Sequence, residues 1–319
     1  MRNIWKDGIL GVVIGDALGC PVQFETREQV AAHPVTGMRG HGTFDLPAGS
    51  WTDDSSLTLA LLDSIQEKNG IDPDHIMGNF VSWLDRGAFT PYGYAYDIGQ
   101  GTLRAIRKYK LERQPLTCGG TGEGNNGNGS LMRILPACLY AWVKKLPEED
   151  AVSLIHRVGS LTHGHLRANI ACGLYSFLVR TVLDGDGPLP ARLQAGLDRG
   201  FAYYEQAALA DRADLDLYAR LRDLDAFAAL PPEKIRSSGY VVDTLETAVW
   251  ALLNADTFEG ALLKAVNLGS DSDTVGAVAG GLAGLYYGYG AIPVPWLEAL
   301  PKRDWIEEMC GKTNETIRE

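Results

Sequence analysis

Apolar residues recur at three- and four-residue spacing through most of the chain, which predicts helices, while strand-like alternation is almost absent. Residues 184–238 are richer in Asp, Arg and Pro without having the composition of a linker, so further amphipathic helices are predicted there. We therefore predict an all-α fold, a single-domain orthogonal multi-helix bundle over residues 1–319. The predicted helical segments are 8–19, 55–66, 74–85, 100–109, 130–144, 149–159, 165–183, 241–254, 256–267 and 274–287.

Two predicted helices carry glycine at about every fourth position. Each glycine inside a helix costs about 1 kcal/mol relative to alanine, so the pattern predicts a close contact that compensates. Residues 274–296 are uncharged and as long as a membrane span, but their Gly, Tyr and Pro content argues against one. We expect the two helices to cross closely in the centre of the protein. The glycines are Gly11, Gly15 and Gly19 in one helix and Gly276, Gly280, Gly284 and Gly288 in the other.

The same acidic and hydroxyl chemistry stands at the start of two predicted helices. Helix capping and the helix dipole account for such residues at one helix start. Carboxylates and hydroxyls are also the hard oxygen ligands of Mg²⁺ or Mn²⁺, and four carboxylates that meet would repel one another without cations. The pair of starts therefore predicts a metal site at helix N-termini. Its candidate ligands are Thr52, Asp53 and Asp54 at one start and Asp271, Asp273 and Thr274 at the other.

A Gly/Asn-rich run, residues 119–130, precedes an apolar segment. Backbone N–H groups freed by glycine at a helix N-terminus would bind an anion such as phosphate, and the alternative is a flexible surface loop. Arg133 supports the anion hypothesis or makes an internal ion pair.

Three further positions are candidates for the site. Asp97 stands between aromatic residues and glycines, and the alternative role for it is an ordinary helix N-cap. His163 and His165 lie two apart before a helix, where a hydrogen-bonded histidine near the site is favoured over a zinc ligand. Gly239 and Tyr240 precede another helix, and the tyrosine ring either stacks on a ligand or belongs to the core.

Composition narrows the class of partner and the location. The formal net charge of −11, without a Lys/Arg cluster, argues against binding nucleic acid or an anionic membrane. Five cysteines without a Cys-x-x-Cys motif indicate free thiols in a reducing compartment. Asp7 and Asp16 interrupt the N-terminal apolar run, so no signal peptide is expected and the cytoplasm is the expected location.

Seven stretches in the same order resemble the ADP-ribosylglycohydrolase family and span nearly the whole chain. They read GVVIGDALG, GSWTDDS, DIGQGT, GNGSLMRILP, LTH, SGYVVDTLE and GSDSDTVGAVAGGLAG. The resemblance implies an all-α fold, two divalent ions (Mg²⁺ or Mn²⁺) and hydrolysis of the glycosidic bond between ADP-ribose and an acceptor, most typically arginine.

Matched position by position, the resemblance also implies roles for single residues. The metal ligands would be the six residues at the two helix starts, and Asp54, Asp97 and Asp271 would be the catalytic carboxylates. Residues 127–130 would contact the diphosphate and proximal ribose. The implied substrate-binding residues are Gln23, Glu25, Glu123, Gly127, Asn128, Gly129, Ser130, Met132, His163, Gly239 and Tyr240.

Two positions bear on the acceptor. Asp97 matches the aspartate of an Asp-Ile-Gly motif that is typical of arginine-type members and generally missing from serine-type members. Gln23 stands where the family often has glutamate, and Glu25 follows two residues later. Both features favour an arginine linkage over a serine linkage.

The expected function is metal-dependent removal of ADP-ribose from a modified protein, with free ADP-ribose as the product. Metal ions would lower the pKa of a water, and Asp97 would position or deprotonate that water for attack at the anomeric carbon. Two alternatives stay open at this point. One is hydrolysis of another linkage, ADP-ribosyl-serine or O-acetyl-ADP-ribose. The other is an inactive module that only binds ADP-ribose.

Overall fold

The computed structural model describes residues 2–207 and 212–318, which contain sixteen α-helices and no β-strand. The all-α prediction is confirmed. The helices are α1 (Ile4–Gly19), α2 (Arg27–Ala32), α3 (Asp53–Lys68), α4 (Pro73–Arg86), α5 (Gln100–Glu112), α6 (Leu135–Val143), α7 (Glu148–Gly159), α8 (Leu166–Asp184), α9 (Leu189–Ala207), α10 (Arg212–Asp216), α11 (Leu224–Ala228), α12 (Val241–Leu253), α13 (Phe258–Val266), α14 (Ser272–Tyr287), α15 (Val294–Ala299) and α16 (Arg303–Thr316).

The helix predicted over 130–144 is shorter than expected. Leu131–Arg133 form a 3₁₀ turn, and α6 begins only at Leu135. Pro136 lies in the first turn of α6, where its fixed φ and missing N–H favour a helix start over a helix interior. The Gly/Asn-rich run therefore does not lead directly into an α-helix, and the expectation of a helix N-terminus at that point is wrong.

The predicted crossing of the two glycine-bearing helices is confirmed. A Cβ atom on Gly15 would lie 1.9 Å from the carbonyl oxygen of Gly276, and a Cβ atom on Gly11 would lie 2.1 Å from that of Gly280. No side chain fits between backbones at this distance, so α1 and α14 pack directly on each other. Gly288 is outside this contact, since it follows the end of α14 at a φ of 82°.

The apolar faces of these helices form a hydrophobic core that runs from Trp5 in α1 to Ile306 in α16. No helix in the described part of the chain is long and apolar enough to cross a membrane. The five cysteines are buried and form no disulfide, as expected.

Candidate active site

The N-termini of α3 and α14 meet at the end of α1. The backbone N–H of Asp273 lies against Gly19, where a Cβ atom would come within 2.3 Å of it. The hydroxyl of Thr274 donates to Oδ2 of Asp54 over 3.4 Å, which joins the two helix starts directly. The close glycine contact between α1 and α14 therefore brings the two sets of candidate ligands together.

Asp16 of α1 holds the start of α3 in place. Its buried carboxylate accepts hydrogen bonds from the backbone N–H and hydroxyl of Thr52 and from the same two groups of Ser55, at 2.5–3.0 Å. Burial raises the pKa of Asp16 to about 6, although these hydrogen bonds act in the opposite direction. In the sequence, Asp16 is recognisable only as an interruption of an apolar run, and its role in holding the start of α3 was not predicted.

Six aspartates form what we call the carboxylate cluster. Burial raises the pKa of each, and for all but Asp16 and Asp97 the neighbouring negative charges also raise it. None of the six forms an ion pair with a residue that the structure describes. The cluster thus concentrates negative charge in a site that lacks protein cations. Its members are Asp16, Asp53, Asp54, Asp97, Asp271 and Asp273.

Capping explains only one of the two acidic helix starts. Thr52 is the N-cap of α3, and its hydroxyl accepts from the backbone N–H of Asp54 at 3.4 Å. Asp271 occupies the N-cap position of α14, but its side chain caps nothing and instead accepts from Nδ2 of Asn128 at 2.5 Å. The second start therefore serves something other than the helix end.

Several oxygens of the cluster have no protein partner. Oδ1 of Asp54 and both carboxylate oxygens of Asp273 are buried and accept no hydrogen bond in the described part of the chain. This donor chemistry suits a hard divalent cation. Within residues 2–207 and 212–318, however, no three His, Cys, Asp or Glu side chains stand in the arrangement of a metal site. Metal binding stays a prediction.

Asp97 does not cap a helix, because Gly99 is the N-cap residue of α5. Its backbone has a φ of 50°, in the left-handed region that a non-glycine residue rarely adopts. Gln23 donates from Nε2 to Oδ2 of Asp97 at 2.8 Å, and the charge of Asp97 is one of those that raise the pKa of Asp273. Glu25 makes only backbone hydrogen bonds, so the residue that reaches the cluster is Gln23.

Residues 127–130, the glycine loop, lie next to the cluster. The backbone N–H of Asn128 donates to the carbonyl of Gly239 at 3.1 Å, and its side chain reaches Asp271, so the loop touches two other candidate regions. Ser130, the last residue of the loop, is buried, and so is Met132. A Cβ atom on Gly129 would lie 2.7 Å from the imidazole of His163, so glycine is required for this contact.

His163 is buried and is held from behind by a buried arginine. Nη2 of Arg133 donates to Oγ1 of Thr162 at 2.8 Å, and that hydroxyl lies 2.9 Å from Nδ1 of His163. Burial and the nearby guanidinium lower the pKa of His163 to about 3, so the ring is neutral at physiological pH. Because the guanidinium only donates, the Thr162 hydroxyl accepts from it and has its own proton to give to Nδ1; in that arrangement His163 would carry its hydrogen on Nε2. Nε2 faces the glycine loop and Gly101.

Arg133 matches neither role considered from the sequence. It is buried, forms no ion pair in the described part of the chain, and packs its guanidinium 4.8 Å from the ring centre of Phe80. Burial lowers its pKa to about 10, so it stays charged at neutral pH. Its Nε and Nη1 atoms have no partner among the described residues.

The outer edge of the glycine loop carries Tyr240 and three polar side chains. The Arg167 guanidinium lies 5.9 Å from the half-buried ring of Tyr240 and pairs with the exposed Glu123 at 2.7 Å. His165 caps α8 and lies 3.4 Å from Glu123, away from the buried position of His163. The two histidines therefore have separate surroundings.

Comparisons with known proteins identify the family to which the chain belongs. A family model described as ADP-ribosylglycohydrolase matches residues 3–319. The chain belongs to the ADP-ribosylglycohydrolase family. It is 33% identical over 293 residues to the ADP-ribosyl-[dinitrogen reductase] glycohydrolase of Rhodospirillum rubrum, covering 91% of this chain and 88% of the relative.

Two further matches of this ADP-ribosylglycohydrolase cover nearly its whole length. The ADP-ribosylarginine hydrolase Tri1 of Serratia proteamaculans is 30% identical over 308 residues, covering 96% of this chain and 77% of that protein. A solved structure titled ADP-ribosylglycohydrolase-related protein complex has a TM-score of 0.78 and 33% identity, and covers 98% of both chains. The resemblance seen in the sequence is confirmed at the level of the family.

The fold of this ADP-ribosylglycohydrolase brings most of the candidate residues into one region. The six candidate metal ligands lie at the joined starts of α3 and α14, and Gln23, Asp97, the glycine loop, His163 and Gly239 lie around them. Glu25 and Glu123 stand outside this arrangement. Sequence reasoning missed Asp16 and Thr162. A single carboxylate in the otherwise apolar, glycine-bearing stretch 8–19 was the available signal for Asp16.

Proposed function

We propose that this ADP-ribosylglycohydrolase releases ADP-ribose from ADP-ribosylated arginine side chains of a protein. The observation that carries the proposal is Asp97, a half-exposed carboxylate in a rare backbone conformation that caps no helix and lies beside Asp273. Strained backbone of this kind concentrates at functional sites. The relative from Serratia is named as an ADP-ribosylarginine hydrolase, which supports the arginine linkage.

The carboxylate cluster fits a pair of divalent cations. Three of its buried oxygens accept no hydrogen bond, and no lysine or arginine of the described residues neutralises it. Bound Mg²⁺ or Mn²⁺ would supply positive charge for ribose hydroxyls and lower the pKa of a water. The residues that would hold the ions are Thr52, Asp53, Asp54, Asp271, Asp273 and Thr274.

The remaining candidate residues would each act on a different part of the substrate. Asn128 fixes the Asp271 carboxylate, while the backbone of the glycine loop and the Nε2–H of His163 would donate to the diphosphate. Gly239 and the ring of Tyr240 would border the adenosine. Gln23 holds Asp97 where it would accept a proton from the water that attacks the anomeric carbon, as the bond from that carbon to the arginine nitrogen breaks.

The test is release of free ADP-ribose from an arginine-ADP-ribosylated protein, with Mg²⁺, with Mn²⁺ and with a chelator. Wild type is compared with Asp273→Asn and with Asp186→Asn, a matched control on an exposed loop. We expect release by wild type and the control only with a divalent ion, and no release by Asp273→Asn.

ADP-ribosyl-serine and O-acetyl-ADP-ribose are tested in parallel. Release from either of these but not from arginine would overturn the assignment of the linkage. Tight binding of ADP-ribose with no release from any substrate would indicate a module that only binds.

A further inference from the structure

Five aromatic side chains form a continuous surface beside Asp97, which we call the aromatic rim. Successive ring centres lie 6.5, 5.5, 5.9 and 6.4 Å apart. In order along the surface, the residues are Phe24, Phe44, Tyr96, Tyr94 and Tyr92. Tyr96 directly precedes Asp97, and Phe24 directly follows Gln23, whose side chain donates to Asp97.

The rim is unusually exposed for aromatic residues. The exposed fractions of Phe24, Tyr94 and Tyr92 are 64%, 51% and 37%. These are three of the seven large apolar side chains that are exposed in the described part of the chain, and they lie together while the other four are in separate segments. Apolar residues that are exposed singly need no explanation, but a connected patch beside a cleft points to a binding surface.

The rim is also built onto the backbone that carries the carboxylate cluster. Phe24 has a φ of 69°, and this conformation is held by two backbone hydrogen bonds, from Phe24 N–H to Ser270 O at 2.6 Å and from Ser270 N–H to Glu25 O at 2.7 Å. Ser270 immediately precedes Asp271. A bulky residue in the left-handed region is uncommon and is kept only where its surroundings fix it.

The tyrosines are fixed from the other helix start. The hydroxyl of Tyr92 lies 2.8 Å from Oγ of Ser50, and the hydroxyl of Tyr96 donates to the carbonyl of Trp51. Ser50 and Trp51 directly precede Thr52, the N-cap residue of α3. Both ends of the rim are therefore positioned by the segments that deliver the candidate metal ligands.

The chain segments that carry the rim are acidic. Segments 22–26, 41–46 and 92–98, which carry the five rings, contain the carboxylates of Glu25, Asp45 and Asp97 and no lysine or arginine. His41 is paired with Asp45 at 2.6 Å. Arg27 follows the first segment, but its guanidinium donates to backbone carbonyls, including that of Ile235 at 2.6 Å. Aromatic faces beside carboxylates attract cations, and a planar guanidinium stacks on rings better than an ammonium group does.

We propose that the aromatic rim binds the arginine-bearing segment of the modified protein, with guanidinium groups of that segment against the exposed rings of Phe24 and of Tyr94. This inference rests on the proposed function and adds the side of the site from which the protein approaches. The rim adjoins Asp97 through Tyr96 and through Gln23, so the protein would approach the carboxylate cluster at Asp97.

The first measurement is steady-state hydrolysis of an arginine-ADP-ribosylated protein by Phe24→Ala, Tyr94→Ala and the double variant. We expect KM to rise about tenfold in the double variant, as the loss of two cation–π contacts would cause, with kcat and the Kd for free ADP-ribose within about twofold of wild type. Tyr94→Phe keeps the ring face and should restore KM. Leu111→Ala removes an exposed apolar side chain outside the rim and is the control.

The second measurement is calorimetric binding of an unmodified arginine peptide, with a lysine peptide of otherwise identical sequence for comparison. It reports on the rim whether or not the enzyme turns over arginine linkages. We expect the arginine peptide to bind more tightly to wild type, and this preference to vanish in the double variant.

Two results would overturn the rim proposal. One is an unchanged KM together with an unchanged peptide preference in the double variant. The other is an equal loss of affinity for free ADP-ribose, which would trace the effect to the nucleotide side. Failure of wild type to hydrolyse arginine linkages while the peptide preference holds would contradict the proposed function but not the rim.

Discussion

The carboxylate cluster and the glycine loop are neighbours that share the hydrogen bond between Asn128 and Asp271, yet they are built with opposite charge imbalances. The cluster gathers six aspartates, four of them buried, that form no ion pair in the described part of the chain. Behind the loop stands Arg133, a buried guanidinium that likewise has no acidic partner there. Buried charges are normally paired, because an unpaired one is costly.

This difference in charge suggests how the two regions would bind different parts of one ligand. ADP-ribose carries hydroxyls at its ribose and negative charge at its diphosphate. We propose that the region rich in carboxylates would receive the hydroxyls through cations, while the region of glycine N–H groups and a neutral histidine would receive the phosphates directly. Because His163 is neutral, its donor capacity is fixed by Thr162 and Arg133 and does not depend on gaining a proton.

The largest expected effect is on catalysis by Asp97→Asn. An amide still accepts a hydrogen bond from Gln23 but does not accept a proton from water, so kcat should fall by about 10² to 10⁴. The Kd for ADP-ribose should change little. Single-turnover release of ADP-ribose and calorimetry measure the two quantities, with Asp186→Asn as control. A variant with wild-type kcat would remove Asp97 from the reaction.

The next effect is on stability in the absence of divalent ions. Asp273→Asn removes one of the mutually repelling carboxylates, so in a chelator the variant should be more stable than wild type by about 1 to 3 kcal/mol. Mg²⁺ or Mn²⁺ should then raise the melting temperature of wild type more than that of the variant. Urea unfolding and thermal scans with and without metal test this. A less stable variant in chelator would show that the cluster is not under electrostatic strain.

A smaller effect, on the Kd for ADP-ribose, is expected from a change behind the glycine loop. Thr162→Val removes the hydroxyl between Arg133 and His163 with little change in volume, so the Kd for ADP-ribose should rise about tenfold. The stabilisation of the protein by metal should stay unchanged. Thr162→Ser keeps the hydroxyl and should bind as wild type does. Equal loss of metal stabilisation would contradict the separation of the two regions.

The smallest expected effect is a pH dependence. Since the pKa of His163 is lowered to about 3, below its ordinary value of 6.5, the ring stays neutral as pH falls from 8 to 5. The ratio of the Kd values of wild type and His163→Gln should therefore change by less than about twofold over that range. A ratio that shifts near pH 6.5 would mean that the ring gains a proton there.

Local chemistry made the helices and the two helix starts predictable. Thr52 and the following aspartates read as a helix start, and the spacing of Gly11 and Gly15 against Gly276 and Gly280 indicated the crossing that joins both starts. The role of Asp16 was not predictable in this way, because its partners on Thr52 and Ser55 become neighbours only when α1 packs against α3.

Other features depended on the backbone and on contacts distant in sequence. The left-handed conformation of Asp97 and Phe24 leaves no mark in hydrophobic periodicity. Arg133 could be assigned neither to an anion nor to an ion pair until its surroundings, Thr162 and Phe80, were known. The sequence thus indicated which candidate residues lie close together better than it indicated how each is held.

The glycine crossing also governs when activity arises during synthesis of the protein. Gly15 leaves the ribosome early, whereas Gly276 follows after most of the chain has been made. The contact between them is among the most distant in the sequence, and such contacts form late in folding. Thr52, Asp53 and Asp54 therefore wait for the second set of candidate ligands, and a nascent or truncated chain that stops before α14 lacks Asp273 and Thr274. The two sets come together only when α14 docks on α1.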